Sequence, residues 1–273
     1  MTERVLEAYG HDRPAQIGPA QKQAGPAQNP PTPVEPTVAS SATRTDPTRR
    51  SAGAATRWWA AGAAAYAAIL EHPFLLGLAD GTLPHAAFEY YLVQDAHYLR
   101  GYSRALALVA ARAPADADCV LFATSAATAI TVERLLHGSL LAELGVDPAT
   151  AARTEPGPAT TAYVDSLVAT AATGSFADGL AAVLPCYWVY ARVGEWLLPN
   201  SSPDARYARW IETYADESFQ STVAAVLDVV DRVGDRLTPG EDARAQAIYR
   251  RGAVHEWLFW DAAWQGRHWP SFG

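Results

Sequence analysis

Residues 81–114 read GTLPHAAFEYYLVQDAHYLRGYSRALALVAARAP, and the spacing of their apolar side chains decides the fold class. Aromatic and aliphatic residues recur three and four positions apart, the period of an amphipathic helix and not the alternation of a strand. Thr82 is placed to cap such a helix, Pro84 suits its first turn, and Pro114 ends it after Arg112. Tyr91, Asp95, Tyr98 and Tyr102 fall at i, i+4, i+7 and i+11, so they share one face, aromatic with a single carboxylate. An acid in that setting must be paired, solvated or used. Asp95 is therefore either a surface acid with tyrosine neighbours or a functional group, and the spacing leaves both open.

The same period continues on either side. RWWAAGAAAYAAILEHPFLLGLADG (57–81) predicts a helix that stops near His72-Pro73, then a turn at Asp80-Gly81. ADADCVLFATSAATAITVERLLHGSLLAELG (115–145) is closed by Gly145, and a proline-rich loop follows. A shorter helix over Thr160 to Thr173 stops at Gly174, and Ser175 with Asp178 forms a capping box for the next. Three more helices are expected over roughly 204–214, 216–235 and 240–266. No alternating strand and no repeat is evident. The expectation is an all-α helical bundle, a single domain over 53–273. Residues 1–52 are rich in Pro, Ala, Gln, Thr and Ser, cannot bury enough surface to offset their ordering entropy, and read as a disordered extension.

Composition excludes several functions. The 273 residues carry a net charge of −8 and a pI near 5.3, whereas a nucleic-acid binder needs clustered Lys and Arg. Two cysteines, Cys119 and Cys186, make no disulfide framework, so a reducing compartment is the default. The first residues lack an apolar core of signal-peptide length, and no run reaches the ~18 apolar residues of a membrane span. The expectations are a cytoplasmic protein without membrane or nucleic-acid partners.

The chemistry-bearing residues stand in aromatic company. LPCYWVYARVGEWLL (184–198) puts Cys186 directly after a proline, with Tyr187, Trp188 and Tyr190 as a potential wall for a flat ring. Cys186 is either a small hydrophobe filling a bend or a nucleophile, and the local sequence does not separate these. Glu256, in AVHEWLFWDAAW (253–264), has Phe259 and Trp260 at i+3 and i+4. Burial there raises a carboxyl pKa toward what a proton donor near neutrality needs; exposure on a polar face is the alternative. Glu133 and His137, one turn apart, resemble half of a di-iron site, but a second matching pair is missing and an ion pair is the simpler use. Cys119 has no aromatic or basic company and reads as inert. No GxGxxG, Walker or zinc-finger pattern is present.

Taken in order, HPFLLGLADGTLP, FEYYLVQDAHYL, TAYVDSL, LAAVLPCYWVYARVGEWL, WIETYADESF and HEWLFW resemble the TenA (thiaminase II) family over about residues 56–269. The resemblance implies a heme-oxygenase-like helical fold, a homotetramer, and aminopyrimidine hydrolysis in thiamin salvage or degradation, on an aminopyrimidine or thiamin itself. It is to the cysteine-bearing branch. It implies Asp95 as the pyrimidine-binding acid, Cys186 as nucleophile, Glu256 as acid/base, and Tyr98, Tyr163 and Tyr214 as supporting tyrosines. Tyr190 and Phe259 complete the expected substrate-binding set, and no metal or organic cofactor is required. His97 departs from the pattern where an aromatic such as Tyr is expected, which bears on the pocket. Two other readings compete: a heme- or di-iron-binding oxygenase on the same scaffold, with His72, His137 or His255 as ligands, and a regulator, against which the acidic balance speaks.

Overall fold

The structure, a computed structural model, describes residues 53–132 and 138–272. The expected extension and the Glu133–His137 pair lie outside the described residues. Among the described residues every regular element is helical.

Helix α1 (Ala54–Leu70) and helix α2 (Pro73–Asp80) are split at His72, which is extended and whose ring accepts from the Phe74 amide at 3.1 Å. Pro73 then occupies the first turn, where its missing N–H costs nothing. Gly81 closes α2 at φ 79, a left-handed cap that favours glycine. Helix α3 (His85–Arg112) follows. Thr82 does not cap it, contrary to the sequence reading. Its amide and hydroxyl both donate to Asp80, at 2.9 and 2.6 Å, and this local turn outcompetes the cap.

Helices α4 (Asp116–Val132), α5 (Gly138–Glu143) and α6 (Pro148–Arg153) lead to α7 (Pro158–Thr173). Then come α8 (Phe176–Leu197), α9 (Ala205–Ala215), α10 (Glu217–Gly234) and α11 (Pro239–Gln265). Capping boxes at Ser175–Asp178 and Thr238–Glu241 start α8 and α11, each cap contributing about 1 kcal/mol. Helix α3 packs on α4, α7 and α8, while α8 also meets α9, α10 and α11, and α1 lies along α11. Trp58, Trp210, Trp260, Tyr91 and Tyr163 are among the large side chains wholly inside this core. No single described helix is long and apolar enough to cross a membrane; α1 and α2 pass by length and composition only as a pair, across a 55° bend.

Helix α8 runs unbroken through Pro185. Its ring sits where Gly252 of α11 leaves room, since a Cβ there would fall 2.6 Å from Pro185 Cγ. The lost backbone bond costs about 3 kcal/mol, and the close helix–helix contact is what offsets it. Farther along α8, a Cβ on Gly194 would meet the Tyr214 backbone at 2.7 Å. The end of α9 therefore touches α8 backbone to backbone, which brings Tyr214 to the site.

Candidate active site

A cavity of about 670 Å³ opens between α3, α4, α8 and the α9–α10 corner. Asp95, Cys186, Tyr190 and Tyr214 all line it, so three helices deliver four of the sequence-predicted residues to one space. Asp95 is 2% exposed, which removes the surface-acid reading. Around it the Tyr91 hydroxyl donates to the Tyr190 hydroxyl at 3.2 Å, and the rings of Tyr190 and Tyr214 lie 4.8 Å apart. Gln220 donates to the Tyr214 carbonyl at 2.9 Å and to the Ala191 carbonyl at 3.2 Å, fixing Tyr214 against α8.

Tyr98, Tyr163, Glu256 and Phe259 do not line this cavity. They form the layer behind the cysteine. Tyr98 stacks on Tyr102 at 5.6 Å and meets Tyr163 at 4.8 Å and Phe259 at 5.6 Å. The Tyr163 hydroxyl donates to Glu256 Oε1 at 2.5 Å, and Glu256 is 1% exposed, so it is no solvated face either. Burial pushes the Glu256 carboxyl up to about 8, the Asp95 charge adding to the rise and the Tyr163 bond opposing it. Glu256 is thus a neutral acid at pH 7. The Cys186 thiol is raised too, first by burial and next by the Glu256 charge, while the Tyr98 and Tyr102 hydroxyls beside the sulfur pull it down. The resting group is a protonated thiol, and a thiolate needs a positive charge brought in by a ligand.

Gln94, next to Asp95, is buried and spends its amide on the loop before α7. Its oxygen accepts from the Gly157 amide at 2.8 Å and the Thr160 hydroxyl at 2.7 Å, and its nitrogen donates to the Glu155 carbonyl at 3.2 Å. That clamp sets the start of α7, one turn before Tyr163.

Three expectations change. Trp188 is not a wall of the cavity; it packs on Trp59 at 4.6 Å, because it lies two residues beyond Cys186 on a helix. His97 likewise stands two residues from Asp95 and is absent from the lining. His72 caps α2 with its other nitrogen 3.6 Å from Asp261, and His255 stacks on Tyr163 at 4.9 Å; neither is brought to the cavity, and no cluster of three metal-type side chains occurs among the described residues. What sequence reading missed is the far wall: Leu121, Thr124, Ser125 and Thr128 of α4, with Phe219 and Thr222 of α10. The α4 set falls at i, i+3, i+4 and i+7, a one-face signal that small hydroxyl residues disguise as a solvated surface.

The chain is similar to known proteins in sequence and in fold. The sequence profile of the TENA/THI-4/PQQC family matches residues 59–266. The aminopyrimidine aminohydrolase of Bacillus subtilis is 30% identical over 218 residues, covering 80% of this chain and 89% of that one. The thiamine biosynthesis multifunctional protein ThiED of Corynebacterium efficiens is 40% identical over 222 residues, 80% of this chain, but this chain spans only 29% of its length. The solved structure of a TenA homologue from P. horikoshii OT3 superposes with a TM-score of 0.72 at 31% identity, covering 78% of this chain and 99% of that one. A Shewanella denitrificans domain with a heme oxygenase-like fold, at 18% identity and a TM-score of 0.63 over 77% of this chain and 92% of its own, shares the fold.

Proposed function

The chain belongs to the TENA/THI-4/PQQC family, and on that premise we propose that it is an aminopyrimidine aminohydrolase of the thiaminase II kind. It releases the amine, or the thiazole of thiamin, from the 5-methylene of a 4-aminopyrimidine and leaves hydroxymethylpyrimidine. The observation that carries this reading is the pairing of one carboxylate, Asp95, and one cysteine, Cys186, on the wall of an aromatic cavity, with the buried, tyrosine-bonded carboxyl of Glu256 behind.

Asp95 accepts from the amidine edge of the pyrimidine and favours its cationic form. That charge lowers the Cys186 pKa as the ligand binds. The thiol adds across the C6–N1 bond, sulfur to C6 and proton to N1. The 4-amino group then pushes electrons through C4 and C5, and the methylene–nitrogen bond breaks with its pair on the leaving group. Glu256, neutral and backed by Tyr163, is the proton source for a departing amine; from behind Cys186 that proton travels through the Tyr163 and Tyr98 hydroxyls and not by direct contact. Water adds its oxygen to the exocyclic methylene and gives up a proton to the Glu256 carboxylate where an amine has left, or to solvent where thiazole has, and the C6–S bond breaks as the N1 proton returns to the sulfur, restoring the aromatic ring and the thiol. Tyr190 and Tyr214, on the cavity wall, hold the ring flat, while Tyr98, Tyr163 and Phe259 behind Cys186 keep the acid dry.

The catalytic domain is read as 53–273. A homotetramer is supported by the resemblance and by exposed Val254, Leu258 and Trp264 on α11, which a second copy would cover. Free Cys119 and Cys186 support a cytoplasmic setting. The function is tested by incubating the protein with 4-amino-5-aminomethyl-2-methylpyrimidine and with thiamin and following hydroxymethylpyrimidine release. Absence of release from both contradicts it.

A further inference from the structure

Helix α7, which carries Tyr163, begins without a side-chain cap: Gly157 stands at its N-cap, and the Thr160 hydroxyl is spent on Gln94. Its start is held from outside, on two sides. From α3, Gln94 takes the Glu155 carbonyl and the Gly157 amide. From the other side comes the segment after α11. Gly266 ends α11 in the left-handed region at φ 58, and the Arg267 amide reaches back to the Ala262 carbonyl at 2.9 Å, a glycine stop that turns the chain off the helix axis. Arg267 also pairs with Asp261 at 2.9 Å, which fixes the direction in which the segment leaves. It runs onto the loop before α7. The Trp269 indole donates to the Pro156 carbonyl at 2.9 Å, which the Thr161 hydroxyl of α7 also reaches, at 3.4 Å. Tyr90 of α3, one turn before Gln94, donates to the Arg267 carbonyl, and its ring meets His268 edge-on at 5.2 Å.

The two holds meet at Gly157. A Cβ there would fall 2.7 Å from the Tyr90 hydroxyl, 3.3 Å from the Arg267 carbonyl oxygen and 3.5 Å from Gln94 Oε1. Main-chain groups of all three loop residues, 155–157, thus have partners outside the loop. Core packing does not account for the outer hold, because Trp269 is 53% exposed. A tryptophan so exposed gains little from burial, and what it contributes is an N–H aimed at one carbonyl. Six residues past Gly157 stands Tyr163, whose hydroxyl donates to Glu256 Oε1 at 2.5 Å. A hydrogen bond weakens steeply as its alignment is lost, and a misplacement of about 1 Å costs on the order of 100-fold in rate.

We propose that Trp269 and Tyr90 are positioning residues for the acid: they strap residues 267–269 across the 155–157 loop and so hold α7 where the Tyr163 hydroxyl meets Glu256. The proposal rests on the reading of Glu256 as the proton source. Neither residue lines the cavity, so the strap acts on the acid and not on the fit of the substrate. The titratable groups facing Glu256 are Asp95 and Tyr98 of α3, Tyr163 of α7, Cys186 and Tyr190 of α8, Tyr214 of α9 and, on its own helix, Tyr249. Neither strap residue is among them. His255 stacks on the Tyr163 ring, but burial holds its pKa below the usual value, so it titrates on the acid side, away from Glu256.

The test follows the alkaline limb of kcat/KM on the aminomethylpyrimidine in wild type, Tyr90→Phe/Trp269→Phe, Tyr163→Phe and the triple variant. Both strap substitutions keep an aromatic ring and remove one donor. The Tyr163 bond lowers the Glu256 pKa, so loosening it should move the limb of the strap variant up by about 0.5 pH unit, with kcat reduced and KM unchanged. The triple variant should show the limb of Tyr163→Phe with no further shift, because the strap acts through that tyrosine. A fall in activity with the limb unmoved assigns the strap to packing and overturns the proposal. A strap shift that persists in full without the Tyr163 hydroxyl overturns it as well. If wild type turns over no substrate, the activity reading has failed separately, and NMR titration of the carbon-13-labelled Glu256 carboxyl, assigned with Glu256→Gln, reads the same pKa. An upward shift in the strap variant then supports the proposal, and an unchanged pKa overturns it.

Discussion

The Tyr163 hydroxyl donates to Glu256 Oε1 across 2.5 Å in the dry interior between α7 and α11. Burial holds the Glu256 pKa near 8 against an ordinary 4.5. Between those values the unfolded chain releases this proton and the folded chain keeps it. Stability therefore falls as pH rises through that window, by up to about 1.4 kcal/mol per unit from this group. Glu256→Gln should remove that slope, so that the variant gains on wild type steadily from pH 5 to pH 8. Urea unfolding of both proteins at four pH values measures it. A constant difference between them would mean the carboxyl is not neutral in the fold.

The same pair sets the activity profile. Because the Tyr163 bond lowers the Glu256 pKa, Tyr163→Phe should move the alkaline limb of kcat/KM to higher pH. It should also reduce kcat, since the acid loses its orienting partner. An unshifted limb with a lower kcat would assign Tyr163 to packing alone.

Asp95→Asn replaces a carboxylate with an amide that donates on one side. A hydrogen bond to a charged group contributes about 1.5–3 kcal/mol, so hydroxymethylpyrimidine should bind at least about tenfold more weakly by calorimetry. The circular dichroism spectrum should be unchanged. Equal affinity would remove Asp95 from the pyrimidine end.

Gly194 carries a structural prediction. A methyl there meets the Tyr214 backbone, not a flexible side chain, so Gly194→Ala should cost about 1–3 kcal/mol by overpacking. It should also raise KM by displacing Tyr214. A drop in melting temperature without a change in KM would separate the α8–α9 contact from the site.

Much of this was legible in sequence, for identifiable reasons. Helix α3 was readable to its last residue because apolar period and Pro114 agree, although Pro84 stands at its N-cap and not in its first turn; the α8 box was readable because Ser175 and Asp178 are a purely local device. Thr82 misled because Asp80, two residues earlier, competes for it. The polar residues on aromatic faces singled out Asp95, Cys186 and Glu256, but their layering was hidden. That Glu256 stands behind Cys186 and not on the cavity depends on how α11 packs on α8 through Pro185 and Gly252, a long-range contact with no local signature. The α4 stripe was invisible because threonine and serine look alike on a wet face and on a cavity wall. Tyr187 was read as aromatic wall, and only the fold shows that its hydroxyl is buried without a partner.

The central claim is that Cys186 is the nucleophile, and one measurement tests it most directly: single-turnover release of hydroxymethylpyrimidine from the aminomethylpyrimidine by wild type and Cys186→Ser, with ligand affinity checked on the same samples. A serine hydroxyl is far less ionised than a thiol and does not form the C6 adduct at a useful rate. The account predicts unchanged affinity and turnover reduced by ~100-fold or more, with Cys119→Ser close to wild type. Near wild-type turnover by Cys186→Ser would contradict it.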